Sequence, residues 1–135
     1  MKDKFRLADY PLAENMSERI GGARGKTLDD LSMESLLAGD VTIEDLRITP
    51  EALLAQAEIA RAAGRATLAS NFERGAELVG VPQEVIMDTY EMLRPGRART
   101  RRELTERAEM FRRDYGAEKL AAFLETAAEI YFRRG

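Results

Sequence analysis

The stretch Gly21-Gly22-Ala23-Arg24-Gly25-Lys26-Thr27 has the composition of a phosphate-binding loop, in which backbone amides and a lysine cradle phosphate oxygens. Its spacing misses by one residue. The pattern G-x-x-x-x-G-K-[ST] needs its first glycine at position 20, which is Ile20. Such a loop also needs a buried strand before it and a long helix after it. Neither Asn15-Met16-Ser17-Glu18-Arg19 nor Leu28-Asp29-Asp30-Leu31 supplies one, so the expectation is a flexible turn. Arg94, Arg97, Arg99, Arg101 and Arg102 crowd around Pro95-Gly96. They suit a phosphate, an RNA or an acidic protein surface, but no aromatic side chain is interleaved to stack on bases. A solvated or partner-facing loop is the favoured reading. The acidic pairs Asp29-Asp30 and Glu44-Asp45 could act as acid and base or hold a cation. They fit no calcium-loop spacing, and the first turn of a helix attracts such residues for dipole reasons alone. Tyr10, Tyr90, Tyr115 and Tyr131 fall mostly at core spacing and read as packing residues. The chain has no histidine and no cysteine. It therefore lacks imidazole and thiolate ligands, a cysteine nucleophile and the best proton carrier near neutral pH.

The elements that would carry these residues are helical. Thr49-Pro50-Glu51 places a capping hydroxyl before a proline at the first helical position, where no amide partner is required. From there Leu53, Ala57, Ala60, Gly64, Leu68, Phe72, Gly75 and Val79 recur at spacings of three and four, predicting one helical stripe. Gly64 and Gly75 signal close approach of another backbone or a break. A second helix is expected from Pro82 to Arg94, with Val85, Ile86, Tyr90 and Leu93 as its face, and it stops because Pro95 follows. Thr100-x-x-Glu103 is a capping-box pattern, opening a third helix through Leu104, Ala108, Phe111 and Tyr115 to Gly116. The last, about 117–133, shows Leu120, Phe123, Leu124, Ala127 and Tyr131. Residues 1–48 hold Pro11, clustered glycines and short apolar runs, so brief turns are expected there: Ser32 to Gly39, and another opened by Thr42. The prediction is an all-α fold and a single domain, 1–135. An irregular N-terminal arm (1–48) precedes a small bundle of three to four helices (49–135).

Composition agrees. Hydrophobic residues are 44% and charged residues 33% of the 135, too apolar for a disordered chain. Aromatics are only 7% and tryptophan is absent, so the core must come from Leu, Ala, Ile, Val and Met. Marginal stability alone and dependence on a partner are compatible with such a core. The net charge of −3 argues against general nucleic-acid binding. No apolar run is long enough for a membrane span, and the start, Met1-Lys2-Asp3-Lys4-Phe5-Arg6, has no run for a signal peptide, so a cytoplasmic protein is expected.

Several motifs then fall in a familiar order. Asp9-Tyr10-Pro11-Leu12-Ala13 precedes Gly25-Lys26-Thr27-Leu28-Asp29-Asp30-Leu31, which runs to Gly39-Asp40-Val41. Arg47-Ile48-Thr49, Gln56-Ala57-Glu58-Ile59-Ala60, Asn71-Phe72-Glu73-Arg74-Gly75-Ala76-Glu77-Leu78, Val81-Pro82 and Tyr90-Glu91-Met92-Leu93-Arg94-Pro95 follow. This order resembles the small subunit of adenosylcobalamin-dependent diol and glycerol dehydratases over nearly the whole chain, including the closing helix with Tyr131. The resemblance implies a complex that converts 1,2-diols or glycerol to an aldehyde and water by a radical mechanism. A large barrel subunit holds substrate, a metal ion and most catalytic groups; a medium subunit helps hold the cobalamin. The small subunit packs on the large one, in a dimer of heterotrimers with no nucleic acid or membrane. No catalytic, cofactor-binding or metal-ligating residue is assigned to this chain, whose cofactor sits with its partners. Two departures stand out. Gly75 occupies a place where the family more often has Ala. The chain also begins near Asp9-Tyr10-Pro11, without the longer extension that diol-dehydratase members tend to carry and that is linked to bacterial microcompartments, which points toward glycerol-type or unpackaged enzymes. The competing expectation is an autonomous helical adaptor or RNA-binding module that uses the 94–102 loop.

Overall fold

A computed structural model describes residues 4–133. Residues 1–3, part of the start read above for a leader, and residues 134–135 lie outside the described residues. The described chain is all-α, and its one β-type pairing is an isolated antiparallel bridge between Gly21 and Thr27. The helices are α1 (Leu12–Asn15), α2 (Met33–Leu37), α3 (Pro50–Ala62), α4 (Ala66–Leu78), α5 (Gln83–Leu93), α6 (Arg101–Tyr115) and α7 (Glu118–Tyr131). Five are long, above the expected three to four. Short 3-10 turns at Leu7–Asp9, Ser17–Arg19, Leu28–Asp30 and Ile43–Leu46 complete the arm. The chain divides into two compact units, Met1–Val79 and Gly80–Gly135.

In the first unit the extra helix arises at Gly64. The stripe expected to run unbroken from Leu53 to Val79 is cut there, because Gly64 takes φ +76°, a conformation open to glycine and costly to residues with a Cβ. Gly64 N–H donates to Arg61 O (3.0 Å) and Arg65 N–H to Ala60 O (2.8 Å), the paired bonds that close a Schellman motif. The chain reverses and α4 packs on α3 through Ala57, Ala60 and Ala69, with Leu68 and Phe72 against them. Gly75 marks no backbone approach: a Cβ there would stand 3.7 Å from Leu53 Cδ1, in ordinary contact, so the helix face is intact and has room for alanine. At the start of α3, Thr49 Oγ1 accepts from Ala52 N–H (3.1 Å) and Pro50 occupies the first turn. The arm is fastened to α3 where Phe5 N–H donates to Glu58 Oε2 (2.8 Å).

In the second unit α6 and α7 form an antiparallel-type hairpin held by their packing. Thr100 and Glu103 make the reciprocal capping box and Gly116, at φ +60°, ends α6. Leu104, Ala108 and Phe111 are buried on α6 as the spacing predicted. The other faces turn by about one residue. On α5 it is Thr89 that is buried, its hydroxyl donating to Val85 O (2.7 Å), while Tyr90 is 61% exposed. On α7 the buried residues are Leu120, Ala121, Leu124 and Ala128, and Phe123 and Tyr131 are exposed. Tyr131 still bonds inward, its hydroxyl donating to Leu93 O (2.8 Å), one of the free carbonyls at the end of α5.

Candidate interaction surface

The glycine-rich segment and the acidic pairs singled out for chemistry end up in local turns. The 21–27 segment closes as a tight turn, with Gly22 N–H donating to Lys26 O (2.9 Å) and Gly25 N–H to Gly22 O (3.0 Å). A three-residue 3-10 turn follows it, not the long helix a phosphate loop requires. Asp30 Oδ2 accepts from the Thr27 amide (2.9 Å) and hydroxyl (3.0 Å). Those bonds, the amide first, hold the Asp30 carboxyl below its ordinary range; slight burial opposes them and Lys26 adds a little in their favour. Asp45 closes the next turn and is buried: Oδ2 accepts from Thr42 N–H (2.8 Å) and from Arg24 Nη1 (2.9 Å), while Oδ1 lies buried with no partner among the described residues. Gly22 presses on this turn so closely that a Cβ would meet Asp45 O at 2.9 Å. One member of each acidic pair, Asp30 and Asp45, thus serves as a cap. Asp9, the first residue of the Asp9-Tyr10-Pro11 motif, is also buried, accepting from Arg6 N–H (2.7 Å). Among the described residues no three Asp or Glu gather in a group able to hold a metal.

Tyr10, Tyr90 and Tyr131, expected as packing residues, lie mostly outside. Their positions belong to a broader pattern. In the arm, Met33 (69% exposed), Leu36 and Leu37 (81%) stand at i, i+3 and i+4 on α2, and Ile43 (70%) and Leu46 at i and i+3 on the next turn. That spacing builds one apolar face per helix, the face that ordinarily turns inward. Here each such face turns to solvent. Single exposed apolar residues mean little, but among the described residues nine of the sixteen large exposed ones fall within residues 7–48, concentrating them in one segment. Leu7, Tyr10, Leu28 and Ile48 of this set also line a groove of about 730 Å³ floored by Ile59 and Phe72. Its size would admit a small molecule. Its lining is mainly apolar, and Oδ2 of the buried Asp45 carboxylate beside it is committed to Arg24 and Thr42. Exposed apolar surface concentrated in this way marks an interaction site.

The sequence profile of a family described as the dehydratase small subunit matches residues 5–135. The chain belongs to that family. Within the dehydratase small subunit family, it is 47% identical over 129 residues to the propanediol dehydratase small subunit of Citrobacter freundii, covering 96% of this chain and 74% of that one. It is 46% identical to the propanediol dehydratase small subunit of Salmonella typhimurium, with the same coverage. The match gives no support to an autonomous adaptor or RNA-binding module. Small-subunit membership implies other subunits. Among the described residues no helix is long and apolar enough to cross a membrane.

The 94–102 loop lies in the second unit. Arg94 pairs with Glu91 (3.2 Å) and Arg102 with Glu106 (2.7 Å). Arg97, Arg99 and Arg101 are exposed, and among the described residues their guanidinium groups have no ion pair or hydrogen bond. Glu103, the nearest carboxylate on α6, is occupied by the amides of Arg99 (2.6 Å) and Thr100 (3.3 Å).

Proposed function

We propose that this chain is the small, non-catalytic subunit of an adenosylcobalamin-dependent propanediol/glycerol dehydratase. It packs on the large catalytic subunit, with a medium subunit completing the heterotrimer and two trimers forming the complex. The complex converts a 1,2-diol or glycerol to an aldehyde and water by a radical mechanism. Family membership supports the subunit role, the relatives' names support the propanediol reaction, and the observation that carries the packing role is the pair of apolar helix faces turned outward at 33–37 and 43–46. Bound adenosylcobalamin supplies the radical through homolysis of its cobalt–carbon bond. This chain's donor set does not fit a cobalt centre: it has neither imidazole nor thiolate, and its buried carboxylates cap turns. The cofactor's place is therefore with the partner subunits, and no catalytic, cofactor-binding or metal residue is assigned here. The complex is cytoplasmic, free or within a bacterial microcompartment.

Co-expression of the tagged chain with the genes beside its own tests this reading. Large and medium subunits should co-purify, and the eluate should form aldehyde from 1,2-propanediol or glycerol only with adenosylcobalamin; the ratio of the two rates decides the substrate. A tagged chain that elutes alone, folded and without activity, would overturn the proposal.

A further inference from the structure

We infer that the 94–102 loop is an electrostatic docking site for an acidic face on a partner dehydratase subunit, an inference that rests on the function proposed above. Three guanidinium groups at 97, 99 and 101 stand within five residues, exposed and unpaired among the described residues, while the arginines flanking them are tied to Glu91 and Glu106. Local folding does not call for this arrangement. Every helix of four or more residues but α4 carries a carboxylate in its first turn: Glu14, Glu34, Glu51, Glu84, Glu103 and Glu118. Only α6 begins with two cations, Arg101 and Arg102, at the end where the helix dipole is positive and repels them. Mutual repulsion among like charges adds to that penalty, which the single carboxylate of Glu103, held by the Arg99 and Thr100 amides, offsets only in part.

An arrangement that opposes local stability is explained by an external anion. A chain of net charge −3 that concentrates unpaired positive charge in one loop matches a negatively charged surface there and repels one elsewhere. RNA is the weaker fit, since the loop carries no aromatic side chain to stack bases. Arginine is suited to the role, because its planar fork pairs with carboxylates in two parallel bonds.

The test measures affinity between this chain and the complex of the remaining dehydratase subunits at 50, 150 and 300 mM NaCl. The variants are R97Q/R99Q/R101Q and R97K/R99K/R101K. The wild-type affinity should fall as salt rises. The glutamine variant should bind about tenfold more weakly at the lowest salt, with a flatter salt dependence, and the lysine variant should keep most of the salt dependence. All three positions are exposed and unpaired, so the circular dichroism melt of the glutamine variant should be unchanged or slightly raised by the relieved repulsion, which separates lost docking from lost folding. Association of the wild type with no difference in the glutamine variant would overturn the docking site and leave the subunit reading standing. Loss of RNA-oligomer binding in that variant, with assembly unaffected, would overturn it in favour of nucleic acid. Absence of any association by the wild type would remove both.

Discussion

Asp30 and Asp45 perform one service in two settings. Each accepts the amide of a threonine three residues earlier and so closes a short turn, but Asp30 is exposed and Asp45 is sealed. For Asp30 the consequence is a pH dependence. Its folded value lies below the unfolded carboxylate value of about 3.9. Its contribution is therefore fully present above that unfolded value and is lost as pH falls through the lower folded one. Thr27→Val keeps the amide donor and removes the hydroxyl, so the Asp30 titration followed by carbon-13 NMR should move part of the way back up. For Asp45 the consequence is stability. Asp45→Ala removes the cap of Thr42 and the partner of Arg24; because Arg24 is half exposed and re-solvates, the loss should be about 1–2 kcal/mol in urea unfolding. Asp45→Asn keeps an acceptor for Thr42 and should lose less. Equal losses for the two would show that the charge matters more than the cap.

Helix punctuation was largely legible in the sequence. Thr49-Pro50, Pro82, the Thr100…Glu103 box and Gly116 mark ends that the structure keeps, because caps act through bonds between residues three or four apart. Which side of each helix is covered was less legible. Large side chains such as Tyr90, Phe123 and Tyr131 were read into the core by spacing, whereas Thr89, Ala121 and Ala128 are buried instead. Spacing fixes a stripe to within about a residue, and it undervalues alanine, which carries little hydrophobic weight yet occupies the places where two helices meet closely. The exposed face of α2 was equally hidden, since its pattern is that of any amphipathic helix and only the structure shows its direction. Met33→Gln with Leu37→Gln tests that face: both residues are exposed, so the chain's own unfolding midpoint should be nearly unchanged. Recovery of partner subunits in a pull-down should drop at least several-fold, as expected for removing two apolar anchors. Undiminished recovery would assign the face to solvent.

Nine of the sixteen buried apolar residues described in the whole molecule are alanines, so little apolar area is withdrawn from water per buried residue. Large buried side chains are correspondingly few: Phe111, Leu104 and Leu124 are the largest fully buried ones, all in the second unit. Phe111→Ala should cost about 3–5 kcal/mol, comparable to the total stability of a small domain, and should abolish amide hydrogen-exchange protection across α6 and α7. Retained protection there would mean that the alanine contacts alone hold the hairpin. The outward apolar faces of the arm have a counterpart outside the test tube. On the proposed reading, a copy made in excess of its partners displays to the cell the kind of surface that chaperones and proteases survey. The abundance of this chain is then set by how much of its partners is available to cover it, and balanced synthesis of the subunits becomes a requirement written into residues 7–48.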